Sequence, residues 1–224
     1  MRSKRLVVAL TVAALTAGAA SPAAAQGNAV WDLGQNSWYF GVYGGETSFP
    51  TTIARTTAPT LGVDWMITRR RFALNVFAEQ SYFNAVSTVP DFPTSAPRRV
   101  DMRDMRRVGA SAMLFLPSYK YMHPWAGVGY AMNFVPNATA QGSSFASPAA
   151  RDSIVARVDD ARAQAKSFLD LGMMYVRRNW APFLQYSIMP TKGSSSWLVN
   201  GEGMTNVWKA GLRYNFGSAI DERW

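Results

Sequence analysis

Residues 206–216 read NVWKAGLRYNF, and this stretch decides the fold. Trp208, Ala210, Leu212, Tyr214 and Phe216 fall on one face, and Val207, Lys209, Gly211, Arg213 and Asn215 on the other. A period of two belongs to a β-strand, whose successive side chains point to opposite sides. One side here is apolar and aromatic. The other carries Lys, Arg, Asn and Gly.

The same alternation recurs upstream in segments 38–45, 59–68, 71–83, 101–116, 125–134, 167–177 and 180–189. Leu61, Val63, Trp65 and Ile67 share a face, as do Phe72, Leu74, Val76, Ala78 and Tyr82. So do Val108, Ala110, Ala112 and Leu114, and likewise Leu169, Leu171 and Met173. Most of these segments match the roughly 9–11 residues of a tilted strand crossing a bilayer. The breaks alternate in length. Connections 68–71, 117–124 and 177–180 are short, whereas 46–58, 84–100, 135–166 and 191–203 are long and rich in Ser, Thr, Pro, Gly and Ala. Charged and Gly-rich inner faces, apolar outer faces and alternating connections predict an all-β protein. It is an eight-stranded antiparallel up-and-down transmembrane β-barrel with short periplasmic turns and long extracellular loops. An even strand number puts both barrel ends on the short-turn side.

The first residues predict export. Arg2, Lys4 and Arg5 precede an apolar run at 6–17, and Ala23-Ala24-Ala25 supplies small residues for cleavage after Ala25. This is the pattern of a secretory signal peptide, residues 1–25. Its removal lowers the net charge from +9 by three, to +6. A lead-in at 26–37, the barrel at 38–216 and a tail at 217–224 then account for the chain. No stretch reaches the roughly 18 consecutive apolar residues of a transmembrane helix, and the mean hydropathy is −0.08. Export also argues against nucleic acid as the partner of the basic residues. Many of these cluster at segment ends (Arg69-Arg70-Arg71, Arg98-Arg99, Arg106-Arg107, Arg177-Arg178), where they can reach lipid headgroups.

The chain has no cysteine and one histidine, His123. Thiolate sites are thereby excluded, and neither a metal nor another cofactor is expected. A Ser nucleophile needs an adjacent base, and His123 lies in a short turn, so the expectation is a protein that is not an enzyme. The inward charges are the candidate site. Glu79, Arg107, Asp170 and Lys209 lie seven to nine residues up their strands from the short turns, with Asp64 and Arg213 lower. Eight strands leave room only for side chains, and buried charges must pair, so these residues are expected to form a lumen network that closes the barrel. In the longest connection, Ser147-Pro148 is a helix-start signal, and Ile154, Val158, Ala161 and Ala165 follow at helical spacing, predicting a short surface helix. Trp65, Tyr82, Trp125, Phe134, Trp180, Trp208 and Tyr214 are expected at strand ends or outward, forming aromatic belts. Trp197, in the last long loop, is a candidate for sugar contact.

Segments PWAGVGYAMNF (124–134), APFLQYSIM (181–189) and AGLRYNFG (210–217) resemble the later strands of the eight-stranded outer-membrane β-barrel family, which includes the OmpA/OmpX-type and opacity-protein barrels. The resemblance implies outer-membrane lipids and lipopolysaccharide as surroundings. It also implies a last strand read by the barrel-insertion machinery, although here GSAIDERW follows Phe216. Three functions fit these observations. The first is a monomeric, lumen-closed barrel with a structural or surface-interaction role. The second is a narrow passive channel for ions or small solutes. The third is a secreted soluble barrel holding an apolar ligand inside, which fails if the outward face is apolar around its whole circumference.

Overall fold

The computed structural model describes residues 36–90, 97–142, 145, 147–191, 197–199 and 201–218. The signal peptide with its Ala25 cleavage site, most of the 26–37 lead-in and residues 219–224 lie outside the described residues. The strands are β1 (Ser37–Pro50), β2 (Arg55–Arg69), β3 (Phe72–Pro90), β4 (Pro97–Phe115), β5 (Met122–Phe134), β6 (Asn137–Ala140), β7 (Ala163–Tyr175), β8 (Trp180–Pro190) and β9 (Met204–Ser218). One helix, α1 (Pro148–Ala161), precedes β7.

The chain folds as a closed eight-stranded antiparallel up-and-down barrel. Consecutive long strands pair antiparallel from β1 round to β9, and β9 pairs back onto β1, so the eight-stranded barrel is closed. The ninth, short strand β6 continues the line of β5 and pairs with the outer half of β4. Closure is what lets strands cross a bilayer, because every backbone group inside the hydrocarbon then has a partner.

The period-two pattern maps directly onto the wall. Phe40, Val42, Leu61, Val63, Leu74, Val76, Val108, Leu114, Val128, Met132, Leu169, Leu171, Leu184 and Leu212 are exposed, while their sequence neighbours on all eight strands point into the lumen. The outward face is therefore apolar around the whole circumference, the condition on which the soluble ligand-binding barrel fails.

Three short-turn hairpins match expectation, and 191–203 does connect β8 to β9, but the connections 46–58 and 84–100 do not match. Most of 46–58 is strand, not loop: β1 runs to Pro50, β2 starts at Arg55, and the Thr51 N–H to Ala54 O bond of 2.8 Å closes a tight turn. β3 and β4 likewise pair from Pro90 and Pro97 downward. Beyond the bilayer an outward side chain need not be apolar, so Ser48, Thr56 and Thr57 show no alternation although the hydrogen-bond ladder continues. β4 also changes phase within itself. Met102 and Met105 both face inward, the register with β3 shifts between Ser81 and Asn84, and Asp104 sits at φ +59°.

Helix α1 forms where the sequence places it. Ser147 is the N-cap and its side chain accepts from the Ala150 N–H at 3.1 Å, with Pro148 in the first turn. Ile154, Val158 and Ala161 are buried. Ala165 falls outside the helix, on β7, because the helix ends at Ala161.

Candidate functional site: a filled lumen

Four layers occupy the barrel interior. Nearest the short turns, Tyr39, Met66, Ala73, Met113, Phe115, Trp125, Met174, Ala181 and Phe183 form an apolar cluster. Asp64 and Arg213 are embedded in it. Arg213 Nε lies 3.1 Å from Asp64 Oδ2, Arg213 Nη2 lies 2.6 Å from the same oxygen, and both side chains are almost fully buried. The guanidinium stacks on Phe183 at 3.9 Å from the ring centre. A fork donor, a carboxylate and an aromatic face make this a fully desolvated but well-satisfied pair. Gly41 makes room for it, since a Cβ there would collide with the Asp64 carboxylate and the Arg213 chain.

The second layer is ionic. Glu79 on β3 receives Arg107 Nη2 at 2.7 Å on one oxygen and Lys209 Nζ at 2.7 Å on the other, and the Tyr43 hydroxyl donates to it at 2.9 Å. β3–β4 register puts Arg107 directly opposite Glu79. Lys209 comes from β9, across the lumen from Arg107. Both cations that share this carboxylate also face π-clouds. Lys209 Nζ is 4.5 Å from the Phe77 centroid and 4.9 Å from that of Tyr43, and Arg107 lies over Phe77 and Phe168. Such contacts strengthen when desolvated.

The structure thus joins Glu79, Arg107 and Lys209, and separately Asp64 and Arg213. Asp170 departs from the expected four-charge network. Its carboxylate takes hydrogen bonds from Gln185 Nε2 at 2.9 Å and from the Ser187 hydroxyl, both on the neighbouring strand β8. β7–β8 register pairs Asp170 with Ser187, so the nearest donors were hydroxyl and amide, not a cation.

Above the ions, Thr47, Thr60 and Ser81 bond to one another at 2.7–3.2 Å. The fourth layer is an apolar cap that the sequence did not reveal. Phe49, Phe83, Met105, Val135, Phe168 and Met189 from the strands pack with Ile154 and Val158 of α1 and with Trp197, Leu198 and Val199. Backbone bonds hold it in place: the Leu198 N–H donates to Ala161 O at 3.2 Å, and the Ser87 hydroxyl to Leu198 O at 2.6 Å.

Two aromatic residues lie elsewhere than the sequence predicts. Trp125 is not part of an outer belt; it points inward and is 2% exposed. Its neighbours Ala126 and Val128 set the outward phase, so Trp125 falls on the inner face with Phe115 and Phe183. Trp197 is 1% exposed within the cap and offers no face to a sugar. By contrast Trp65, Tyr82, Phe134, Trp180 and Trp208 are exposed on the wall. Among the described residues no cluster of three His, Asp or Glu side chains could hold a metal ion, and no helix is long and apolar enough to cross a membrane.

No protein-family model and no curated protein sequence matches the chain. Solved structures do. Neisserial surface protein A aligns over 80% of this chain and 97% of its own, with a TM-score of 0.52 and 12% identity. The N-terminal β-barrel domain of Pseudomonas aeruginosa OprF aligns over 81% and 98%, with TM-score 0.46 and 10% identity. Ail, the attachment invasion locus protein of Yersinia pestis, aligns over 81% and 99%, with TM-score 0.44 and 10% identity. At such identities the likeness is one of fold: the chain has the eight-stranded architecture of outer-membrane barrels.

Proposed function

We propose that this chain is a monomeric outer-membrane barrel whose lumen is closed, with a structural or surface-interaction role instead of a transport role. The filled lumen carries this reading. An apolar layer seals the short-turn end, an apolar cap seals the other, and of the charges between them Glu79, Arg107 and Lys209 are bound to one another and Asp170 to Gln185 and Ser187. A solute crossing would have to separate Glu79 from Arg107 and Lys209 and dislodge the cap on α1. The apolar wall on all eight strands supports placement in a bilayer, with outer-membrane lipids and lipopolysaccharide around it.

Residues 38–216 form the working domain in this account. A signal peptide ending at Ala25 delivers the chain, and the aromatic β9 serves as the segment read by the insertion machinery. His123 is buried at the short-turn end, at the start of β5, away from the long-loop side. What the long-loop side presents is the β3–β4 extension, β6 and α1.

Planar-bilayer recording of the purified protein tests this reading. A silent membrane is expected. Stable single-channel steps would overturn it in favour of the narrow passive channel.

A further inference from the structure

Among the described residues the two rims of the barrel differ in charge. Arg69, Arg70, Arg71, Lys120, Arg177 and Arg178 stand exposed at the short-turn rim. Among the described residues at that end (36–37, 68–72, 116–123, 176–180 and 214–218) there is no Asp or Glu. At the opposite rim the arginines are interspersed with Glu46, Asp101, Asp104, Asp152, Asp159 and Glu202, and Arg162 pairs with Asp159 at 3.2 Å.

The turns add a second observation. Arg69 pairs with Phe72, Tyr119 with Met122 and Arg177 with Trp180, so each hairpin turns in two residues. The first turn residue is Arg70 at φ +53°, Lys120 at φ +54° and Arg178 at φ +56°. That position, with φ positive, is the one where a tight hairpin favours glycine. All three turns place a long cation there instead.

A third observation gives the partner its shape. Tyr175, Arg177, Arg178, Trp180 and Pro182 line an open groove of about 370 Å³. Tyr175, Trp180 and Pro182 occupy outward positions on β7 and β8, so the groove lies along the lipid-facing wall, with Arg177 and Arg178 in its lining at the turn. Tyr121 and Tyr175 touch edge to face beside it. An apolar, aromatic channel capped by cations matches an acyl chain with an anionic phosphate headgroup.

We infer that the short-turn rim is a binding ring for anionic phospholipid headgroups of the periplasmic leaflet, with the Arg177–Arg178 groove as its best-formed seat. The inference rests on the membrane-barrel reading above. A wall polymer would meet the turn tips, but the groove faces sideways into the bilayer, which favours lipid.

The test compares wild type with the triple variant Arg70→Gly/Lys120→Gly/Arg178→Gly and with Arg177→Gln. Glycine suits the positive φ, so the triple variant should be at least as heat-stable as wild type in neutral detergent. Arg103→Gln, at the other rim, is the control. Lipid retention is read by native mass spectrometry after extraction from vesicles of phosphatidylcholine with or without phosphatidylglycerol. Wild type and Arg103→Gln should retain phosphatidylglycerol selectively. Retention should fall about fivefold for each cation removed, and high salt should weaken it. Equal retention by wild type and triple variant would overturn the inference. So would displacement of the lipid by millimolar inorganic phosphate, which would mark a free-anion site. Loss of binding to isolated cell-wall sacculi, with lipid retention unchanged, would reassign the ring to the wall. Failure to enter any vesicle would instead overturn the membrane-barrel reading.

Discussion

Glu79 holds the ionic layer of the lumen together, because two cations and a phenol converge on its carboxylate. Glu79→Ala should therefore be severe. It leaves Arg107 and Lys209 buried, unpaired and mutually repelling, at a cost of about 3–5 kcal/mol, read as a lower urea midpoint in detergent. Lys209→Met should cost less, since Glu79 keeps Arg107; equal losses would mean the two cations do not share that carboxylate. Gly62 tests the layer from the side. A Cβ there would stand 2.5 Å from the Tyr43 ring, so Gly62→Val should displace Tyr43 and weaken the same layer, and an unchanged unfolding midpoint would contradict the packing described. The inward direction of Glu79, Arg107, Lys209, Asp64 and Arg213 was legible in the sequence because a strand alternates strictly. Their partners were not. Pairing across a barrel depends on shear and register, which no local pattern encodes, and so Asp170 was expected among cations yet lies between Gln185 and Ser187.

At the scale of elements, the wall and the cap make separate demands. Leu74→Arg and Leu212→Arg place a charge on the lipid face of β3 and β9. Each should cost about 2–4 kcal/mol near the bilayer midplane, seen as reduced insertion into vesicles; normal insertion of both variants would mean that these faces do not meet lipid. Helix α1 makes a different prediction. Ile154 is fully buried in the cap, so Ile154→Ala should cost about 2–5 kcal/mol locally. Trypsin added outside should then cut faster at Arg151 and Arg157, which are exposed on the helix but protected while it stays folded. An unchanged cutting rate would detach α1 from the cap. The helix itself could be read from Ser147-Pro148 and the spacing of Ile154, Val158 and Ala161. Its partner could not, because Trp197, Leu198 and Val199 lie far along the chain and look like any loop apolar run. The outer strand halves were hidden for a related reason: above the bilayer both faces can be polar, and the period-two signal fades while the ladder persists. The break at Asp104 had no sequence signal at all.

At the scale of the whole molecule, a closed sheet with an apolar outer wall and a filled lumen predicts lipid outside and no water path inside. The absence of cysteine makes this directly measurable, since any introduced thiol is unique. Ala110, Ser111 and Ala112 are consecutive on β4 and small enough to accept Cys; Ser111 is 1% exposed in the lumen and its neighbours face outward. The three single-Cys proteins would be reconstituted in vesicles and treated with a charged, water-soluble thiol reagent or with a bilayer-soluble one. Ala110→Cys and Ala112→Cys should react only with the bilayer-soluble reagent, and Ser111→Cys with neither. Labelling of Ser111→Cys by the water-soluble reagent would reveal an aqueous pore, and water-soluble labelling at 110 and 112 would take the barrel out of the membrane.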